Sequence, residues 1–134
     1  MSSGELIGDS GPRRLPKVAR DRQLSAMFIH AVYFWLRPDL KPAERERFAA
    51  GLRSLRGIEG VRHGYIGVPA PTDRPVIERG YSNSLVLVFP DQAAHDAYQV
   101  HPVHDRFRDE CGGFWTTVRI FDSVAEDNGS VPTR

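Results

Sequence analysis

Four runs of apolar, β-branched and aromatic residues divide the chain into predicted strands. They cover residues 27–36, 61–68, 81–89 and 114–124, and proline, glycine or polar residues follow them. The first and third runs are apolar at both odd and even positions, a pattern that is typical of strands with both faces covered. We therefore predict four strands, two of which are buried on both sides.

A helix is predicted between the first two strands. Phe48, Leu52 and Leu55 recur at helical spacing and form one apolar stripe on an otherwise charged segment. Pro42 suits the first turn of this helix, because the N–H that proline lacks would have no partner there, and Gly57 suits its end. The pattern is that of a surface helix that buries one side.

A second helical segment follows the third run and is interrupted by proline. Asp91 can cap its start, Pro102 fits the first turn of a restarted helix but not a helix interior, and Gly112-Gly113 ends it. The order of elements is then β-α-β-β-α-β. This order predicts an α+β fold, a ferredoxin-like sandwich with helices on one face of an antiparallel sheet.

Helices on one side leave the other face of the sheet to be covered. Both sets of alternating side chains on the first and third strands are mainly apolar, and Phe34 and Leu87 belong to them. An apolar sheet face is expected to be an interface or a ligand wall, so two chains should pair their sheets into a dimeric α/β barrel with a cavity inside. We assign Phe34 and Leu87 to substrate binding there, and we expect Leu87→Asp to dissociate or unfold the protein.

The two ends of the chain are polar and rich in turn-forming residues. Residues 1–26 are predicted to be a flexible arm and residues 125–134 a tail, so that the domain spans residues 27–124. The arm has no continuous apolar segment of the kind that export signals and membrane anchors need. No membrane association is expected.

Composition and charge exclude several classes of partner. The chain has 134 residues, which suits one domain, and its 18 basic and 17 acidic residues leave a net charge of +1. Nucleic acid is therefore not an expected partner, since binding phosphates requires a clustered excess of positive charge. The single cysteine, Cys111, excludes an internal disulfide and a cysteine-rich zinc site, and it favours the cytoplasm.

Candidate chemistry concentrates in the stretch YQVHPVHDRF, residues 98–107. Tyr98 and His104 would not share a face of one continuous helix, since six residues turn it by roughly 600°, or about 240° net. A break at Pro102 can bring them together. A histidine with its ordinary pKa of about 6.5 can take a proton at cellular pH, and a protonated tyrosine can donate a hydrogen bond to a developing enolate.

Each of these residues also has a purely structural interpretation. His101 can cap the restarted helix, Tyr98 can be a core aromatic residue, His104 can be a surface residue, and His30 can be a core histidine. The two remaining histidines are interpreted as solvent-facing: His63 and His95.

No metal site is expected from the spacing of potential ligands. His101 and His104 could supply two nitrogen ligands, and Asp105 or Glu110 could supply a third. The chain has no HExxH motif or similar arrangement, however, so the pattern indicates no metal.

Three stretches of the chain resemble the stress-responsive A/B barrel (Dabb) family. They are the early strand histidine in IHAVYFWL, the pattern Y..HP.H..F at residues 98–107, and FW....IFD at residues 114–122. Members of this family are dimeric α/β barrels of ferredoxin-like subunits, so the resemblance implies that fold and a homodimer. It does not by itself imply an activity, because one fold carries many functions.

Within this family the chain is similar to olivetolic acid cyclase, a cofactor-free enzyme that closes a polyketide thioester into an aromatic acid. The similarity implies that Tyr98 and His104 are catalytic and that His30 and His101 lie in the cavity. Asn83 stands where the cyclase has a further cavity histidine. Asparagine can orient a carbonyl group but cannot take a proton at neutral pH, so this difference weakens the case for the same substrate.

The residues and the resemblance together favour a cofactor-free enzyme. It would act as a cyclase or isomerase on a small apolar carbonyl or polyketide-like compound, by proton transfer in the cavity. One alternative is a non-catalytic, stress-responsive protein that binds a ligand, and another is a cofactor-free monooxygenase. An open cavity beside Tyr98 and His104 would favour the enzyme over a barrel that is packed shut.

Overall fold

The computed structural model describes residues 16–17 and 26–132, in which helices cover one side of an antiparallel sheet. The strands are β1 (Phe28–Leu36), β2 (His63–Gly67), β3 (Asn83–Phe89) and β4 (Trp115–Val124). The helices are α1 (Pro42–Arg56), α2 (Gln92–Gln99) and α3 (Pro102–Cys111). The strand order is β2-β3-β1-β4 and all neighbours are antiparallel, which confirms the ferredoxin-like α+β fold.

The two ends of the chain add no strand to the sheet within the described residues. The predicted arm, residues 1–26, lies outside the described residues except for residues 16, 17 and 26. After β4, residues 125–132 form no helix or strand, although the Ala125 N–H donates to the Met27 carbonyl oxygen at 2.9 Å. None of the described helices is both long and apolar enough to pass through a membrane.

Helix α1 begins and ends where the sequence predicts. The Glu44 carboxylate accepts a hydrogen bond from the Lys41 backbone N–H at 2.8 Å, at the end where helical N–H groups lack partners within the helix. The buried residues of α1 are Phe48, Leu52 and Leu55. At Gly51 an added Cβ would lie 2.7 Å from the Phe107 ring, so glycine allows α1 and α3 to pack closely.

The interruption between α2 and α3 lies at Val100 and His101. The Asp91 carboxylate caps α2 by accepting a hydrogen bond from the Ala94 N–H at 2.9 Å. His101 caps α3, because its Nδ1 accepts a hydrogen bond from the Val103 N–H at 3.0 Å, and Pro102 is the first residue of α3. The interpretation of His101 as a helix cap agrees with this geometry.

The two faces of the sheet differ in what covers them. On β1 and β3 the side chains that point toward the helices are buried: Phe28, His30, Val32, Phe34, Leu85, Leu87 and Phe89. On β4 the helix side is partly open, because Val118 is 38% and Ile120 is 52% exposed. No helix in the described residues covers the opposite side, which we call the open face. The apolar residues of the open face are Ile29, Ala31, Tyr33, Trp35, Tyr65, Val86, Val88 and Phe121, and its polar residues are His63, Ser84, Thr117, Arg119 and Ser123.

Leu87 lies on the helix side of the sheet and not on the open face. It is 0% exposed within a single chain, so it belongs to the core between the sheet and the helices. The prediction that Leu87 forms part of the wall of a two-chain barrel is therefore wrong. Alternation along β3 defined two apolar faces but could not show which of them the helices cover.

Candidate functional site

A cavity of about 190 Å³ lies between the sheet and the helices of one chain. Most of its wall is apolar and includes Phe34 and Phe107. The polar residues that reach the cavity are His30, Tyr98, Gln99, His104 and Arg108. The sequence predicted a cavity inside a barrel of two chains, whereas the residues that line this cavity come from the sheet and the helices of one chain. It opens to solvent beside Val118 and Ile120 of β4.

The interruption just before Pro102 brings Tyr98 and His104 together. Tyr98 lies near the end of α2 and His104 near the start of α3, and their ring centroids are 4.8 Å apart in an edge-to-face arrangement. The Tyr98 ring also packs against Phe89 with 5.2 Å between centroids, and the residue is 1% exposed. Tyr98 is thus both a core aromatic residue and part of the cavity wall.

His104 lies in surroundings that disfavour its charged form. The pKa of His104 is lowered to about 4, mainly by burial and secondly by the positive charge of Arg108. The imidazole is therefore neutral at cellular pH, and it is a weaker base than the ordinary histidine assumed from the sequence. Neutral His104 remains a proton acceptor over the whole physiological pH range.

One nitrogen of His104 has no protein partner. Nδ1 is buried, and among residues 26–132 it neither donates nor accepts a hydrogen bond. A buried polar atom without a partner costs about 1–3 kcal/mol, so it marks a place where a water molecule or a ligand group can bind. His104 is part of the cavity wall, so a ligand in the cavity lies close to this imidazole.

Tyr98 complements His104 as a hydrogen-bond donor. Burial raises the pKa of the Tyr98 phenol above its ordinary value, because the phenolate would lose its hydration. Tyr98 therefore keeps its proton at cellular pH. The cavity presents one protonated hydroxyl and one neutral imidazole from the same corner.

His30 is held in place by an aspartate on the neighbouring strand. The pairing of β1 with β4 places His30 opposite Asp122, and His30 Nδ1 lies 2.6 Å from Asp122 Oδ1. Burial lowers the pKa of His30, while the hydrogen bond to Asp122 acts in the opposite direction. The sequence did not indicate Asp122 as a site residue, because it lies 92 residues after His30 along the chain. Its position in the strand that pairs with β1 is the only sequence feature that could have indicated this contact.

His95 is buried, and the prediction that it faces solvent is wrong. It is 8% exposed, its ring stacks on Phe28 with 4.1 Å between centroids, and its centroid lies 5.0 Å from that of His30. His63, in contrast, is exposed on β2 as predicted. His95 lies in the first half of α2, on the side of the helix that packs against Phe28 and Phe89 of the sheet.

The other predicted site residues are divided between the cavity and its surroundings. Phe34 lines the cavity, whereas Asn83, Leu87 and His101 do not. Asn83 is at the start of β3 and pairs with Phe34, Leu87 is covered by the helices, and His101 is occupied as the cap of α3. Two polar cavity residues that the sequence did not indicate are Gln99 and Arg108.

We expect the stability of the protein to decrease as the pH falls from about 6.5 toward about 4, in part through His104. The folded-state pKa of about 4 is below the ordinary value, so in this interval the unfolded chain binds a proton that folded His104 does not. The charged and titratable groups that act on His104 are Arg108, His30, Asp105 and His95. Urea unfolding at several pH values should show a smaller loss of stability in His104→Gln than in the unaltered protein. Equal losses in both proteins would contradict a lowered pKa at position 104.

The chain matches a known family over most of its length. The family described as Stress responsive A/B Barrel Domain matches residues 28–125. No match is found among curated proteins.

Several solved structures share the fold. A Dabb family protein with a ferredoxin-like fold from Mesorhizobium loti is 29% identical over 76% of this chain and 99% of its own, with a TM-score of 0.62. A dimeric ferredoxin-like protein of unknown function from Thermobifida fusca is 17% identical over 75% of this chain and 92% of its own, with a TM-score of 0.61. A hydroxynitrile lyase from Passiflora edulis is 14% identical over 81% of this chain and 99% of its own, with a TM-score of 0.63. The last two similarities establish a common fold only.

Proposed function

The chain belongs to the stress responsive A/B barrel domain family, and we propose that its cavity binds a small apolar carbonyl compound on which Tyr98 and His104 carry out proton transfer. The observation that carries the proposal is the convergence of these two side chains on one cavity, where His104 Nδ1 has no protein partner. A donor and an acceptor side by side in an apolar wall are suited to a carbonyl group and the C–H bond next to it.

The proposed reaction starts with the carbonyl oxygen of the ligand accepting a hydrogen bond from the Tyr98 hydroxyl. Neutral His104 takes the proton from the adjacent carbon, and the electron pair of the broken C–H bond moves into the carbonyl group to form an enolate. Negative charge then develops on the oxygen that faces Tyr98, so the hydrogen bond becomes stronger as the reaction proceeds. The imidazolium of His104 returns the proton to the ligand, and neither oxidant nor cofactor is consumed.

Two features of the site define the class of ligand. The cavity of about 190 Å³ is smaller than the roughly 300–1,000 Å³ of sites for drug-sized ligands, so the compound must be small. A base whose pKa is about 4 is weak, so it requires a carbon acid activated by two carbonyl groups. We therefore infer a small 1,3-dicarbonyl compound, the repeating unit of a polyketide chain.

We also propose that the protein is a homodimer formed through the open face. This face is largely apolar, and Phe121 on its edge is 53% exposed in a single chain. A water-exposed apolar sheet face of this kind is typical of an interface. The related Thermobifida fusca protein is described as dimeric, which supports the proposal, and the unpaired thiol of Cys111 supports a location in the cytoplasm.

Proton transfer can be tested without knowledge of the natural substrate. In heavy water, the protein is expected to accelerate exchange of the C–H between the two carbonyl groups of small 2-alkyl β-keto esters, and the rate should saturate with ester concentration. Proton NMR measures the exchange against a buffer blank and against an equal concentration of a protein without this cavity. Binding of the esters without exchange would support the non-catalytic ligand-binding alternative, and absence of both would contradict the proposed function.

A further inference from the structure

Three side chains of types that can ligate a metal ion lie close together at the sheet. His30 of β1, His95 of α2 and Asp122 of β4 each offer a ligand atom, and these atoms all lie within 4.8 Å of one another. We propose that they bind a divalent transition-metal ion such as Zn²⁺. Two imidazoles and one carboxylate form a ligand set that zinc accepts readily, whereas Mg²⁺ and Ca²⁺ prefer oxygen ligands alone.

His30 and Asp122 are already in contact with each other. Their Nδ1 and Oδ1 atoms are 2.6 Å apart, a hydrogen-bond distance with one proton between them. A metal ion would take the place of this proton, because a cation can be bound by the imidazole lone pair and the carboxylate at the same time. His30 is buried and the Asp122 side chain is 39% exposed, so the ion could enter from the solvent side of Asp122.

His95 is oriented by neighbours in the way that metal-binding histidines are. Its Nδ1 lies 3.1 Å from the Asp96 carboxylate, and its Nε2 lies 3.2 Å from the side-chain amide of Gln99. If Nδ1–H donates to Asp96, the lone pair is on Nε2, where it accepts a hydrogen bond from the Gln99 side-chain amide. A carboxylate that accepts the second N–H of a ligating histidine fixes its tautomer and increases its basicity.

Closure of the ligand set requires only small movements. Zinc binds nitrogen and oxygen at about 2.0–2.2 Å, so the atoms of a tetrahedral set lie roughly 3.3 Å apart. Rotation of side chains would shorten the longest separations, which are up to 4.8 Å, and would lengthen the 2.6 Å between His30 and Asp122. The partly exposed Asp122 has the most freedom to move. Three protein ligands leave a fourth tetrahedral position for water or a ligand.

This site differs from the metal site considered from the sequence. His101, considered there, caps α3 and is not a member of the cluster. The proposed ligand His30 also lines the cavity. The inference nevertheless does not depend on the proposed function, because Tyr98 and His104 are not ligands and the test needs no substrate.

The test uses untagged, full-length protein that has been stripped with EDTA and dialysed against Zn²⁺. We expect one zinc ion per chain by elemental analysis, and a melting temperature that rises on addition of zinc and falls again with EDTA. His95→Phe keeps an aromatic ring against Phe28 and should lower zinc affinity by at least about 100-fold, as should Asp122→Asn. Asp96→Asn, which removes only the orienting carboxylate, should lower it by about 10-fold. His63→Ala removes an exposed histidine and should leave the affinity unchanged.

The outcomes separate the site from adventitious binding. Absence of stoichiometric zinc would overturn the proposal, and so would zinc binding that His95→Phe and Asp122→Asn leave unchanged. Loss of binding in His63→Ala would likewise assign the zinc to the surface. Because Asp122 is partly exposed, Asp122→Asn is expected to fold, and it keeps the test decisive if His95→Phe does not.

Discussion

Leu87→Asp is expected to unfold the protein and not merely to dissociate it. Leu87 is 0% exposed and lies in the core between β3 and the helices. Removing a buried leucine costs about 2–5 kcal/mol, and an unpaired buried carboxylate adds several more. The sum is comparable with the whole stability of a domain of this size, about 5–15 kcal/mol. Far-ultraviolet circular dichroism and urea titration should show an unfolded or severely destabilised chain.

Val86→Asp is the matched control, because it places the same charge one residue away on the opposite side of β3. Val86 pairs with Ala31 and Tyr65 and therefore lies in the middle of the open face. It is partly exposed in a single chain, so the cost to folding should be only about 1–2 kcal/mol. Sedimentation at micromolar concentration should then show a dimer for the unaltered protein and a folded monomer for Val86→Asp. A folded dimer in the Val86→Asp variant would contradict the proposed interface.

The elements of the fold could be predicted because local signals agree along the chain. Proline and glycine mark the ends of α1 and α3, and strand runs stand out by their β-branched and aromatic content. The two faces of β3 could not be distinguished in the same way. Both Leu87 and Val86 are apolar, and only the position of the helices makes one of them core and the other part of the open face.

In the candidate site, too, contacts between residues close in the sequence could be predicted, and contacts between residues far apart in the sequence could not. The approach of Tyr98 and His104 could be predicted because it depends on one nearby interruption, just before Pro102. The neighbours of His30 could not, since Asp122 reaches it through the pairing of β1 with β4, and His95 through the packing of α2 on the sheet. The lowered pKa of His104 is likewise a property of burial, which sequence periodicity does not measure.

His104→Ala is expected to lower proton exchange on the β-keto esters by about 10² to 10⁴-fold, the usual effect of removing a positioned acid-base group. The same replacement should change the melting temperature little. In the unaltered protein, His104 Nδ1 is buried without a partner, so its removal also removes a desolvated polar atom that destabilises the fold. A histidine with only a packing role would behave in the opposite way, with lower stability and unchanged exchange.

Tyr98→Phe separates hydrogen bonding from packing at the same site. The phenylalanine ring can keep the contacts of Tyr98 with Phe89 and His30, so the fold should remain intact while the donor to the enolate oxygen is lost. Removal of one such donor typically slows a reaction by about 10² to 10³-fold. Because both side chains act on one transition state, the double variant should be less impaired than the product of the two single effects. Exchange that is unaffected in both single variants, with esters still bound, would place the chemistry outside this pair of residues.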